Sequence, residues 1–275
     1  MKHGWIYHFI ASALAAALGC GNAAAQSTSE SAATWQFALT PYLWFPVVNG
    51  SVQFTLPSGV GGGSASVEKG ADDYLSNLDM AAMLTFEART GAWAIFSDLM
   101  YLDFSEESGS VKTLTGPGGL VQVPVNAGTQ LGLEGGVWQL AASYNFSSAQ
   151  SSPFEILGGF RYLKLETTVD WQLTGPIGLF PQSGTLTETA ELWDAIVGVR
   201  GKAKLGEGNW FVPYYLDVGA GDSELTWQGL AGIGYSFKWG DVLLTYRHLF
   251  YEQKAGKPVH ELEMSGPALG ATFHF

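Results

Sequence analysis

Apolar and polar residues alternate with a period of two along much of this chain, most clearly near its C-terminus. Between Glu224 and Phe237 most odd positions are apolar, while the even ones are mostly polar or glycine. The last strand repeats the pattern, with Phe273 and Phe275 on the apolar phase. Because successive side chains of a β-strand point to opposite faces, the pattern predicts strands with one continuous apolar face. A transmembrane β-barrel requires this arrangement, since its lipid-facing residues must be apolar whereas its lumen-facing residues can be polar.

The composition favours a membrane environment over water. Charged residues make up 14% of the chain, whereas about 25% is typical of water-soluble domains. A soluble barrel would need more charge on its outer face. Removal of Lys2 with the first 25 residues leaves 12 of the 13 basic residues against 25 acidic ones, a net charge of −13. Nucleic acid is therefore not an expected partner, because phosphate binding needs a basic surface.

The N-terminus has the layout of a secretory signal. Residues 1–25 contain Lys2, an apolar run from Ile6 to Leu18, and three alanines that end at Ala25. We expect a signal peptide at 1–25, a short segment at 26–34 and an outer-membrane barrel at 35–275. Lipid attachment at Cys20 is an alternative, whereas cleavage after Ala25 leaves no cysteine. No later stretch offers about 18 uninterrupted apolar residues, so a helical membrane protein is not expected.

The alternation predicts an all-β fold, an antiparallel transmembrane barrel of ten strands. These strands lie near 35–46, 80–89, 92–104, 131–146, 153–172, 190–204, 209–218, 224–237, 241–251 and 259–275. Short turns at 90–91, 147–152, 205–208 and 238–240 alternate with long connections at 47–79, 105–130 and 173–189. Bacterial barrels have short periplasmic turns and longer outer loops, so we expect both chain ends on the periplasmic side.

The connection 47–79 leaves alternatives open. Val52, Phe54 and Leu56 alternate with polar residues, so an extra hairpin would make twelve strands. The stretch from Ala71 to Leu78 is compatible with a short helix at the mouth.

Aromatic residues fall near the predicted short turns, where amphipathic rings can lie at the level of lipid headgroups. The predicted girdle comprises Trp35, Trp93, Tyr144, Phe154, Trp210, Tyr235 and Phe273, and Phe275 is the predicted barrel-closing residue.

Most charged strand residues fall on the lumen phase. The predicted lumen and constriction residues are Glu87, Arg89, Asp98, Glu155, Arg161, Asp194, Arg200, Lys202, Asp217, Glu224 and Arg247. Five of them, Asp98, Arg161, Asp194, Asp217 and Arg247, are predicted to form one belt of opposed charges near mid-membrane. The belt has two interpretations, a closed salt-bridge network that plugs the barrel or a selectivity ring through which a small solute passes.

Catalytic and metal sites have weaker support. His248 lies on the lipid phase and His260 begins the last strand beside Glu261, but no serine can be assigned to either histidine. Asp72-Asp73 and Glu106-Glu107 match no defined metal-ligand spacing. We therefore expect neither an enzyme nor a metal or other cofactor.

Several short motifs follow one another in a fixed order. They are Thr40-Pro41-Tyr42-Leu43-Trp44, Asp98 with Tyr101 after a Gly-x-Trp turn, Gly198-x-Arg200, Asp217-x-Gly219, Tyr246-Arg247 and Ser265-Gly266-Pro267 before the terminal phenylalanine. In this order they resemble a group of small, poorly characterised, porin-like proteobacterial outer-membrane barrel proteins, over roughly residues 35 to 275. The resemblance implies fold and location in a Gram-negative envelope, and it brings no substrate or catalytic residue.

The functional expectation is a monomeric outer-membrane barrel in contact with membrane lipid and lipopolysaccharide. Its working function is a narrow passive pore for small hydrophilic solutes, with Arg161, Arg200, Arg247, Asp98, Asp194 and Asp217 at the constriction. The alternative is a non-conducting barrel that supports the envelope or binds a partner through its outer loops.

Overall fold

The computed structural model describes residues 34–55, 62–69, 78–109, 114–115, 122–123, 129–147, 153–172, 183–254 and 259–275. The predicted signal peptide, residues 71–77 of the helix suggested for 71–78, and the acidic pair Asp72-Asp73 lie outside these residues, whereas Leu78 begins a strand. Within the described ranges no helix is long and apolar enough to cross a membrane.

Fourteen strands occur in the described part of the chain. They are β1 (Gln36–Trp44), β2 (Val47–Thr55), β3 (Gly62–Lys69), β4 (Leu78–Thr90), β5 (Trp93–Gly109), β6 (Leu114–Thr115), β7 (Gln122–Val123), β8 (Thr129–Asn145), β9 (Phe154–Gln172), β10 (Ser183–Lys204), β11 (Trp210–Gly221), β12 (Ser223–Ser236), β13 (Gly240–Gln253) and β14 (Val259–His274).

Ten of these strands form a closed antiparallel ring. The order is β1-β4-β5-β8-β9-β10-β11-β12-β13-β14, and β14 pairs back onto β1. The predicted ten-stranded barrel is therefore confirmed. Several strands extend further than predicted, among them β10, which begins at Ser183 rather than near residue 190, whereas β9 ends at Gln172 as predicted.

The chain closes its ring at its last residue. Phe37 donates a backbone hydrogen bond to the carbonyl of Phe275 at 2.8 Å, and Phe275 donates one back at 3.0 Å. The two rings also stack, with centroids 6.2 Å apart. The C-terminal phenylalanine thus completes the ladder between the first and last strands.

The extra hairpin considered for 47–79 is present as β2 and β3. β14 is longer than β1, so its second half pairs with β1 and its first half pairs with β2. Phe45 and Pro46 separate β1 from β2, and β3 pairs with β2 on the far side. The sheet as a whole therefore has twelve strands, while the ring itself closes through ten.

The strand ends that flank the four predicted short turns lie, together with Thr34 and Phe275, at one end of the ring, which we call the turn end. The opposite end, where β2 and β3 extend the sheet, is the loop end. Gly91 occupies the turn between β4 and β5 with φ = 57°, a left-handed conformation in which glycine has no steric penalty. This glycine explains why a two-residue connection reverses the chain there.

Candidate functional site

The outer wall of the ring is apolar and solvent-exposed. Large apolar side chains on many of its strands are exposed, among them Trp93, Val197, Leu216 and Leu269, each about half exposed. An exposed apolar surface that runs around a whole molecule is not stable in water, because soluble proteins rarely expose apolar patches larger than a few hundred Å².

The apolar wall has a constant height. On each of four ring strands, ten sequence positions separate the outward-facing residue beside the short turn from the first outward-facing charge. The pairs are Tyr144 and Glu134 on β8, Phe154 and Lys164 on β9, Val242 and Glu252 on β13, and Phe273 and Glu263 on β14. A transmembrane β-strand needs about 9–11 residues, so this height matches one bilayer crossing. Between these levels the described outward-facing residues of the ring include no Asp, Glu, Lys or Arg.

The predicted aromatic girdle lies on this wall at the turn end. Trp93 contacts Tyr144 and Trp210 contacts Tyr235, each pair with ring centroids 4.9 Å apart. The rings of Trp239 and Phe273 are also in contact, with centroids 5.3 Å apart. Two further aromatic groups lie nearer the loop end and were not predicted. They are Trp138, Phe160, Tyr162 and Trp193, and Trp227 with Phe250.

His248 lies on the same outer wall, as the alternation predicts. Its ring stacks on Trp227 with centroids 4.3 Å apart, and its Nδ1 lies 3.7 Å from Oε1 of Glu263. Its Nε2 is buried and has no hydrogen-bond partner among the described residues. Among the residues that the structure describes, no nucleophile is hydrogen-bonded to this nitrogen.

The lumen-facing charges lie at more than one level along the lumen, and four of the five residues predicted to form one belt share the middle level. The level nearest the turn end contains Arg89, Arg200, Glu87 and Glu155. Arg89 contacts Glu155 at 2.5 Å and Glu87 at 2.9 Å, and Arg200 contacts both glutamates at 2.8 Å. The hydroxyl of Ser143 donates to Glu155 at 2.6 Å. Two arginines and two carboxylates thus neutralise one another.

The middle level holds two ion pairs. In the first, Arg247 on β13 contacts Asp98 on β5 at 2.7 Å. Tyr42 and Thr85 also donate to Asp98, at 2.9 Å and 2.8 Å. Arg247 further donates to the amide oxygen of Gln228 at 2.7 Å. This pair links opposite sides of the lumen, since β5 and β13 are not neighbours in the ring.

In the second pair, Arg161 on β9 contacts Asp217 on β11 and is completely buried. Arg161 also donates to Gln139 at 3.1 Å and to the hydroxyl of Thr226 at 3.1 Å. Tyr215 donates its hydroxyl proton to the same carboxylate oxygen of Asp217. Both charges are therefore paired and hydrogen-bonded, as buried charges must be.

Two predicted lumen residues behave differently from the rest. Asp194 is buried, but the groups that donate to its carboxylate are the backbone N–H and hydroxyl of Ser223, at 2.9 Å and 2.8 Å, and not an arginine. Glu224 was predicted to face the lumen and is exposed. The β12–β13 register shifts between Ser223 and Leu225, so a bulge removes Glu224 from the alternation. Lys202 lies at the turn-end mouth, 3.4 Å from Asp241.

On the loop-end side of the middle level a large apolar cluster occupies the lumen, which the alternation did not predict. Trp44, Met100, Leu249, Leu262 and Met264 belong to one cluster of buried side chains from different strands of the ring. Leu249 is 0% exposed and Tyr251, in the same cluster, is 1% exposed. We call this cluster the apolar core. It packs like the interior of a soluble protein rather than like the wall of a channel.

On the turn-end side of the middle level the lumen contains a cavity of about 730 Å³, which we call the chamber. Glu87, Arg89, Glu155 and Arg200 line its side. Its mouth at the turn end is lined by residues such as Asp241 and His274, and its inner limit by Asp98, Gln139, Tyr215, Gln228 and Arg247. The chamber therefore extends from the turn end only as far as the two middle ion pairs.

Among the described side chains no group of three or more His, Cys, Asp or Glu residues is placed to hold a metal ion. The polar side chains of the chamber instead form ion pairs and hydrogen bonds with one another.

No protein-family model matches the chain, and no curated protein matches it in sequence. Solved structures with a similar chain path include the outer membrane protease OmpT from Escherichia coli, which is 9% identical, with 90% of this chain and 99% of that chain covered and a TM-score of 0.47. Others are the translocator domain of the autotransporter NalP from Neisseria meningitidis (12% identity, 99% and 96% covered, TM-score 0.36) and the attachment invasion locus protein Ail of Yersinia pestis (10% identity, 88% and 98% covered, TM-score 0.31). At these identities and TM-scores none of the similarities bears on what this chain does.

Proposed function

We propose that this chain is an outer-membrane β-barrel whose lumen is closed at mid-depth. In this proposal it does not conduct ions or solutes, and it presents a polar chamber to the periplasm. The proposal favours the plugged barrel over the open passive pore, which was the working expectation from the sequence.

The membrane location is supported by the outer wall. Its exposed apolar side chains cover a height of about one bilayer, with an aromatic girdle at one limit and charges at the other. The turn end, with its short connections and both ends of the ring, corresponds to the periplasmic side of bacterial barrels. Membrane lipid and lipopolysaccharide would then surround a monomer, and the outward-facing carboxylates at the loop end would lie at the outer headgroup level.

The single observation that carries the closed lumen is the burial at its middle. Arg161, Asp217 and Leu249 face the interior and are at most 1% exposed, so they have no contact with bulk solvent. A ring of ten strands lies close in size to barrels of about eight strands, whose interior is filled by side chains, and far from porins of about 16–18 strands. Two paired charges and an apolar core therefore fill the width that this ring encloses.

The conductance of refolded protein in a planar lipid bilayer tests the proposal. We expect no current steps from protein whose folded state is shown by its faster migration on an unheated gel. A non-conducting preparation that is unfolded tests nothing, so the folded band is the required control. Discrete conductance steps from folded protein would establish the pore instead.

Fractionation of cells tests the location separately. We expect the full-length chain to appear in the outer-membrane fraction in a shortened form that lacks the predicted signal at 1–25. Recovery from the soluble periplasm would contradict the proposed location even if the lumen proved to be closed.

A further inference from the structure

Buried polar atoms without partners gather at one place in the loop-end half of the lumen. Five buried side-chain atoms lack a hydrogen-bond partner among the described residues, and four of them face the lumen. These four are Oδ1 of Asp217, the hydroxyl of Tyr251, and both polar atoms of the Gln253 amide. The fifth is Nε2 of His248, on the outer wall.

The three residues are connected through strand pairing and the Arg161 ion pair. Tyr251 and Gln253 are two positions apart on β13 and share its inner face. Tyr251 lies directly across from Thr226, whose hydroxyl accepts a hydrogen bond from Arg161, the ion-pair partner of Asp217. Gln253 lies directly across from Ser223, which donates to Asp194.

Together these contacts trace a polar string past the apolar core. It begins at Gln139 and Tyr215 on the inner limit of the chamber, passes Arg161 and Asp217, and continues along Tyr251 to Gln253. Beside Gln253 the string reaches Ser223, the first residue of β12, next to the exposed Asp222 at the loop end. The string therefore joins the chamber to the opposite mouth of the barrel.

Buried polar groups in folded proteins are almost always hydrogen-bonded, either to protein or to ordered water. Internal water is found where two to four polar partners converge, whereas apolar spaces stay dry. The Gln253 amide offers a donor and an acceptor, the Tyr251 hydroxyl offers both, and Oδ1 of Asp217 is an acceptor. A water molecule can hydrogen-bond to each of the three groups, because it both donates and accepts hydrogen bonds.

We propose that Asp217, Tyr251 and Gln253 hold a file of water molecules that links the chamber to the loop end. Along this file water exchanges across the barrel, so the protein passes water slowly while it remains closed to ions and solutes. Hydrated ions do not follow, because an ion that enters must shed its water and displace the Arg161–Asp217 pair.

The osmotic water permeability of protein-containing lipid vesicles, measured by stopped-flow light scattering, tests this inference. Vesicles with the wild-type protein are expected to shrink faster than protein-free vesicles. Tyr251→Phe keeps the ring and removes only the hydroxyl. Loss of this hydroxyl raises the free-energy barrier to water passage by about the free energy of one hydrogen bond. The protein-dependent permeability is therefore expected to fall about tenfold.

Gln253→Leu provides a second variant at the other end of the file, with a similar expected fall. Leu262→Met is the matched control, because it changes the packing of the apolar core beside the file without altering a polar group, and it is expected to keep the wild-type permeability. Equal rates for wild-type and protein-free vesicles, or equal rates for wild-type and Tyr251→Phe when both are folded, would overturn the inference. Ion conductance is measured on the same preparations, so a failure of the closed-lumen proposal is recognised separately.

Discussion

Replacement of Arg161 by methionine tests the role of the middle ion pair most sharply. The arginine side chain is completely buried and contacts Asp217, Gln139 and Thr226. Methionine fills much of the same volume but leaves the Asp217 carboxylate in the lumen without a cation. Loss of one partner from a buried pair costs about 3–5 kcal/mol, which is about a 10²- to 10⁴-fold change in the unfolding equilibrium.

The structure also predicts how this loss is reversed. Combining Arg161→Met with Asp217→Leu removes both charges, and an apolar replacement of a whole buried pair is often neutral or stabilising. The double variant is therefore expected to recover most of the lost free energy and to remain non-conducting, because the apolar core above it is intact. Glu191→Gln is the control, since Glu191 is more than half exposed and lies 3.9 Å from Lys164 on the outer wall. A surface pair of this kind contributes about 0–1 kcal/mol.

The assay is urea unfolding of protein refolded in lipid vesicles, followed by tryptophan fluorescence. The chain has ten tryptophans, and several lie on the outer wall, where exposure to water on unfolding changes their emission. The reasoning is refuted if Arg161→Met loses less than the surface control, or if the double variant is as unstable as the single one.

Three further predictions follow from the same contacts. Leu216→Arg places a charge halfway up the apolar wall and is expected to cost about 2–4 kcal/mol in the same titration, whereas Glu224→Arg at the loop end should cost little; equal costs would contradict the assigned membrane span. Deletion of Phe275 removes two backbone hydrogen bonds and a ring contact with Phe37, so the folded fraction on an unheated gel should fall, and an unchanged fraction would show that ring closure does not depend on it. Arg247→Met removes the arginine that contacts Asp98 and leaves the hydroxyl donors of Tyr42 and Thr85 in place, so its main effect should be lower stability. The appearance of conductance steps would make this pair a gate.

Much of the fold follows from alternation alone. A one-residue shift in register would exchange the two faces of a strand, so the apolar phase fixed at Phe273 and Leu269 determines which face is outside throughout the ring. Strand lengths were less predictable, because β10 extends beyond the apolar wall as far as Ser183, where no lipid constrains the pattern. The sequence also did not decide whether the β2–β3 hairpin forms. Its pairing depends on the length by which β14 exceeds β1, and strand length is what the alternation predicts least well.

The lumen was only partly predictable. The alternation predicted Arg161, Asp217, Asp98 and Arg247 on the lumen face, and the structure places all four inside the ring, but spacing along a strand does not give pairing across the lumen. The bulge that exposes Glu224 leaves no mark in the alternation.

The apolar core could have been found by following the inner phase past the charges. On β13 Leu249 and Tyr251 come after Arg247 on the same face, and on β14 Leu262 and Met264 occupy the corresponding positions. The general expectation that a barrel lumen is polar concealed this run of apolar residues.

The labelling of introduced cysteines tests most directly whether the lumen is closed at mid-depth. Protein refolded from residues 26–275 contains no native cysteine, because Cys20 is the one cysteine in the sequence. A water-soluble maleimide is expected to label Thr272→Cys, which lines the chamber, and to leave Ala190→Cys in the apolar core unlabelled until urea is added. Labelling of the Ala190 variant as fast as the Thr272 variant in the folded protein would contradict a lumen closed at mid-depth.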